Sequence, residues 1–161
     1  MPNHMAGQNT FFPMKVLKCL ENEYPEKLHE FKMRTFFNYG RFSGFSSSVM
    51  QQLKPKLHTI REDKSHSWVP GREIHFVINN RTKDRYQFGP KLEVTGTQNI
   101  EVRHTGQNFG PIVIIDGTKL LGIHSLLRLA HNDGFDSIED FFSWFSEDFK
   151  GKIIHWTNLK Y

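Results

Sequence analysis

Asn132-Asp133-Gly134-Phe135-Asp136-Ser137-Ile138-Glu139 divides two patterns whose order decides the fold. Before it, Leu120, Ile123, Leu126, Leu127 and Ala130 recur at three- and four-residue steps, the spacing of a helix with one apolar face. Asn132-Asp133-Gly134 ends that helix, and Gly134 suits a left-handed cap. Asp136-Ser137-Ile138-Glu139 opens a second helix in capping-box style, with Phe141, Phe142, Trp144 and Phe145 along it. Residues 152–157, with Ile153-Ile154-His155-Trp156 at their centre, then read as a strand. Working back from the first helix, segments 73–79, 85–88, 91–95, 99–103 and 112–115 read as extended runs bounded by Gly, Asn, Asp or Pro. Short strands, two helices and a last strand specify an α+β domain whose final strand returns to close the sheet. The predicted sheet is curved and mostly antiparallel, with helices near 120–131 and 137–149 packed on it.

The chain has 161 residues, enough for one domain with a real core. Residues 1–10 are expected to be a disordered N-terminus or a non-native remnant. Within 11–50, a helical extension, Leu17, Leu20, Tyr24, Leu28 and Phe31 recur at helical steps. Pro25 splits that run into two short helices. A Gly/Ser-rich connection at 40–48 and a brief helix at 46–53 precede the main domain, 51–161. Cys19 is the one cysteine, which excludes an intrachain disulfide and a cysteine-based zinc site and suits a reducing compartment. No apolar run has the roughly 18 residues needed to span a bilayer, and the first residues do not form a secretory signal. A cytoplasmic, soluble protein is expected, with no membrane partner and a monomer favoured. No histidine spacing fits a standard metal site, so neither metal nor cofactor is expected.

Charge is uneven. Lys32, Arg34, Arg41, Lys54, Lys56 and Arg61 fall in a stretch without an acid, interleaved with Phe36, Phe37, Tyr39, Phe42 and Phe45. Cations for phosphates and rings for bases suit a single-stranded nucleic acid, although most of the 15 Phe must be core. The densest chemistry lies in Lys56-Leu57-His58-Thr59-Ile60-Arg61-Glu62-Asp63. On an extended chain Thr59, Arg61 and Asp63 share one face, and His58, Ile60 and Glu62 the other. Lys56 meets the Thr59 hydroxyl only if the chain bends between them, and Pro55 makes a bend there plausible.

Lys56-x-x-Thr59-x-Arg61, Trp68-x-x-Gly71-x-x-Ile74, Ala130-x-x-Asp133-Gly134-Phe135 and the closing apolar strand, in that order, resemble the ASCH domain. The resemblance covers about residues 50–161. It implies a PUA-like β-barrel with flanking helices, a cleft between barrel and helices, and binding of RNA or a modified nucleoside. Some ASCH proteins are amidohydrolases that deacetylate N4-acetylcytidine, and others are ribonucleases. Carried over from the amidohydrolases, the catalytic lysine falls on Lys56, the threonine on Thr59 and the family arginine on Arg61. The family glutamate falls on Asp133, one methylene shorter. The implied roles are Thr59 as nucleophile, Lys56 as its base and Asp133 as proton shuttle, with Lys54, His58, Arg61 and Trp68 binding substrate or RNA. Binding without catalysis is the principal expectation, and the amidohydrolase, or an ASCH-type ribonuclease, is the alternative.

Overall fold

A computed structural model describes residues 11–39, 51–106, 110–119 and 122–161, with side chains throughout except at 36–39. The rings of Phe36, Phe37, Tyr39, Phe42 and Phe45, Arg41, the 40–48 connection and most of the 46–53 helix lie outside what it describes.

Two N-terminal helices, α1 (Phe12–Glu23) and α2 (Pro25–Tyr39), break at Pro25 as the periodicity requires. Nine strands follow among the described residues: β1 (His58–Arg61), β2 (Glu73–Ile74), β3 (Val77–Ile78), β4 (Tyr86–Gln87), β5 (Leu92–Glu93), β6 (Gly96–Arg103), β7 (Ile112–Ile115), β8 (Thr118–Lys119) and, after two helices, β9 (Phe149–His155). Those helices are α3 (Ile123–Asn132) and α4 (Ile138–Trp144). Five strands form one antiparallel sheet in the order β1-β9-β6-β7-β8, so the last strand of the chain lies between the first and sixth. The returning strand pairs as the sequence predicts but runs from Phe149, three residues before the expected 152–157 segment, because α4 ends at Trp144 and not at 149.

The sheet does not close into a barrel. Its edges are β1 and β8, and residues 73–93 form two separate ribbons, β2 with β5 and β3 with β4. The segment 73–79 breaks into two strands of two residues each. Ile74 and Phe76 dip into the core, whereas Ile78 emerges toward a turn where Asn79 and Arg81 have positive φ.

Strand β9 shows why the core has two halves. Side chains alternate across a strand, so Ile153 and Ile154 point to opposite faces, and both are fully buried. Ile153 joins Ile60, Ile100, Val113, Leu129 and Phe141 beneath α3 and α4. Ile154 joins Val16, Leu20, Phe76, Val94 and Trp156 beneath α1 and the ribbons. Helix α1 is therefore part of the core, and a boundary near residue 50 does not separate it from the sheet.

The turn after α3 forms as its residues demand. Gly134 has φ +95, its N–H bonds the His131 carbonyl, and the Phe135 N–H bonds the Ala130 carbonyl. These two bonds define a Schellman cap. At the start of α4 the Ser137 hydroxyl accepts the Asp140 N–H at 3.0 Å.

Candidate functional site: a cationic cleft on the outer face of β1

Strand β1 separates two polar environments by simple alternation. His58 and Ile60 are buried on the face toward α3, while Thr59 is half-buried and Arg61 exposed on the other. That outer face, α1 and the ribbons enclose a cleft of about 820 Å³, within the range of small-ligand sites. Lys56, Thr59, Arg61 and Trp68 all line it, and Arg72 and Arg85 complete its cationic wall. Glu73 is its one lining carboxylate, and His75 at 2.5 Å and Lys91 at 3.0 Å already occupy it. These contacts hold the Glu73 pKa below the usual range, Lys91 first.

Trp68 is held by its neighbours. The Asp63 carboxylate accepts the Ser67 N–H at 2.8 Å and the Trp68 N–H at 3.2 Å, and it pairs with Lys152 at 3.1 Å. Lys152 also donates to the Trp68 carbonyl at 3.0 Å. Desolvation alone raises the Asp63 pKa, but Lys152 and the two N–H donors outweigh it and bring it to about 2. The Arg72 guanidinium then lies 4.9 Å from the Trp68 ring centre. A fixed indole carrying a stacked cation is thus presented to the cleft.

Lys56 sits where cleft and core meet. Its N–H bonds the Lys15 carbonyl of α1, and the next N–H bonds the Asn132 carbonyl of α3, so the segment is strapped between two helices. Its ammonium donates to the Asp133 carboxylate at 2.6 Å and to the Asp133 carbonyl, and it lies 5.1 Å from the Phe12 ring centre. Gly134 makes this approach possible, because a Cβ there would stand 3.1 Å from both Lys56 Cδ and Phe12 Cδ1. Burial lowers the Lys56 pKa, and Asp133 opposes that shift. For Asp133, burial acts to raise the pKa, but Lys56 and His58 win and lower it. The pair is ionic.

Behind it lies a closed polar cluster. Asp133 Oδ1 also accepts the Ile60 N–H at 3.2 Å. Asn132 donates to the Tyr161 hydroxyl at 2.8 Å, which leaves the phenol proton for His58 Nε2, also at 2.8 Å. The His58 ring proton then sits on Nδ1, 3.6 Å from Asp133 Oδ1 and beyond hydrogen-bond reach.

The structure therefore sorts the sequence-predicted residues. Lys56, Thr59, Arg61 and Trp68 share the cleft, and Lys56 meets Asp133. Asp133 itself is buried and does not line the cleft, so it touches the site only through Lys56. Lys56 makes no hydrogen bond to Thr59, whose hydroxyl has no partner among the described residues. His58 is fully buried and cannot bind substrate there, because alternation turns it to the core beside Ile60. Lys54 opens on a different depression, near the end of α3. Arg72 and Arg85 were missed. Arg72 follows the Trp68-x-x-Gly71 motif directly and was legible from it, whereas Arg85 reaches the cleft only through the β3–β4 ribbon.

Among the described residues no helix is long and apolar enough to cross a membrane, and no three His, Cys, Asp or Glu side chains converge as metal ligands. Comparison with protein-family models, curated proteins and solved structures finds no match to this chain.

Proposed function

We propose that this protein binds single-stranded RNA or a modified nucleoside in the β1 cleft, as an ASCH-like module that acts by binding. The observation that carries this reading is the cationic wall of Arg61, Arg72 and Arg85 around Trp68, with no free carboxylate among the lining residues and with Lys56 beside them already held by Asp133. Cations without counter-charges attract phosphates, and an indole at the mouth of a cleft offers a face on which an unpaired base stacks. Duplex DNA suits the site less, because stacked and paired bases cannot enter it. The order of the four sequence motifs supports the ASCH assignment, and the open five-stranded sheet departs from a closed PUA-like barrel.

A binding role fits Lys56 better than a role as base. A general base must reach the proton it takes, whereas the Lys56 ammonium is engaged by two Asp133 oxygens and makes no hydrogen bond to Thr59. Titration of a labelled single-stranded oligoribonucleotide at low salt tests the proposal. Affinity should fall on Trp68→Ala and Arg61→Ala and decline with salt by about 0.7 log–log units per phosphate contacted. Absence of any RNA or nucleoside binding at low salt would end it.

The amidohydrolase remains as a second reading because Lys56 and Thr59 open on one cleft and the Thr59 hydroxyl is unbonded. Hydrolysis of N4-acetylcytidine by the purified protein, lost equally in Thr59→Ala, Lys56→Ala and the double variant, would establish it.

A further inference from the structure

We infer that the exposed face of α3 is a phosphate-binding subsite adjoining the cleft, so that the ligand is a single-stranded oligoribonucleotide and not a free nucleoside. The inference rests on the reading of the cleft given above. His124, Arg128 and His131 fall at positions i, i+4 and i+7 of α3 and share one face. With Lys54, Pro55, Leu127 and Asn132 they line a depression of about 310 Å³ that contains no carboxylate. Lys54 Nζ lies 3.1 Å from one ring nitrogen of His131 and 3.2 Å from the other, and Arg128 stands over the Tyr161 ring at 5.6 Å. These contacts orient both cations without neutralising either. The nearest acidic residue in the network, Asp136, offers His131 only its carbonyl, because its carboxylate is held by Lys15 at 2.7 Å. Neither Lys54 nor Arg128 has an ion-pair partner among the described residues. Like charges gathered around a concave surface raise a positive potential that an anion relieves.

The depression and the cleft are joined by chain. Lys54 and Lys56 are two residues apart, a span of at most about 7 Å. Both reach the end of α3, Lys54 at His131 and Lys56 at Asp133. Consecutive residues line the two sites, Pro55 the depression and Lys56 the cleft, and an oligonucleotide that advances roughly 3.4 Å per stacked nucleotide can run from one to the other. A base in the cleft and a phosphate on α3 can therefore belong to one strand. This continuity favours a polynucleotide over a lipid surface as the source of the phosphate.

The test uses the full chain, an oligouridylate of about eight nucleotides, uridine monophosphate and phosphatidylserine vesicles. Lys54 and Arg128 are exposed, so the double variant Lys54→Ala/Arg128→Ala should keep the wild-type melting curve. It should bind the oligonucleotide at least tenfold more weakly, with a salt slope lower by about 1.4, the value for two lost phosphate contacts at about 0.7 each. Its affinity for the mononucleotide should be unchanged. Wild-type oligonucleotide affinity and slope in this variant, alongside loss in Trp68→Ala, would remove the subsite and leave the cleft reading standing. Equal loss of mononucleotide and oligonucleotide would also overturn it, since the α3 face would then not be separate from the cleft. Vesicle binding without oligonucleotide binding would assign the patch to lipid instead, and no binding of any probe would overturn both readings.

Discussion

The two faces of β1 carry similar chemistry under opposite rules. Toward α3, Asp133, Lys56, His58, Tyr161 and Asn132 form a cluster in which the charges are paired and the polar atoms are mostly bonded. Toward the cleft, the Thr59 hydroxyl has no partner and Arg61, Arg72 and Arg85 have no carboxylate partner among the described residues, although Arg72 donates to the Ser67 carbonyl at 2.5 Å. The difference follows from water. A buried charge without a partner costs several kcal/mol, so the inner cluster exists only because it is paired. A charge at a wet surface carries no such requirement, so cations can gather around Trp68 without carboxylate partners, the arrangement on which the proposed binding rests. Lys56 belongs to both regions, and its pairing with Asp133 ties the cleft to the fold.

The largest expected effect breaks the inner face. Asp133→Ala strands the Lys56 ammonium and should destabilise the protein by about 3–5 kcal/mol, measured by urea unfolding. Lys56→Met should cost a similar amount, and the double variant much less than the sum, because it leaves no unpaired charge. Additive losses would show that the two residues are not a pair.

Acid should strain the same face next. Burial, aided by His58 and Lys160, lowers the His155 pKa to about 4. The unfolded chain takes a proton near pH 6.5 that the folded chain refuses until about pH 4, so stability is lost as pH falls through that window. The shift of about 2.5 units corresponds to about 3 kcal/mol, and the lowered His58 pKa acts in the same direction. The lowered Asp133 pKa adds a further loss below about pH 4, where the unfolded carboxyl protonates first. Urea midpoints from pH 7.5 to 4.5 should fall steadily, and His155→Gln should flatten the curve.

Gly134→Ala probes the junction. Its φ of +95 is unfavourable for any residue with a Cβ, and the added methyl would crowd Lys56 and Phe12. A loss of about 1–2 kcal/mol is expected in thermal melts, together with weaker ligand binding as Lys56 is displaced. Unchanged stability would mean that the turn relaxes.

The smallest stability effect sharpens the contrast from the cleft side. Arg61→Ala and Arg85→Ala should change unfolding free energy by less than about 0.5 kcal/mol yet weaken oligoribonucleotide binding. A large stability loss from either would place these arginines in the framework and remove the reason to read the cleft as a site.

Much of the architecture was legible because it is written in short-range patterns. The break at Pro25, the cap at Gly134, the Ser137 helix start and the existence of a closing strand through Ile153-Ile154-His155 each depend on residues within one or two turns of each other. The division of β1 was equally local, since alternation alone sends Thr59 and Arg61 one way and His58 the other. The expectation that His58 contacts substrate went against that rule, and the structure places His58 in the core. Long-range facts were not legible. The open sheet depends on where the ribbons of residues 73–93 dock, and Lys15 became a core ammonium only because Gly134 and Asp136 come to meet it.

The sequence by itself determined the α+β order, the Gly134 cap, the Ser137 helix start and the two faces of β1, because each follows from backbone preferences and side-chain period over a few residues. Only the tertiary structure decided that Asp133 takes Lys56, that α1 walls the cleft, and that Arg72 and Arg85 join Arg61 there. Those outcomes depend on contacts between residues far apart in the chain, such as 77 positions for Lys56 and Asp133, and no local pattern encodes which distant charge will arrive.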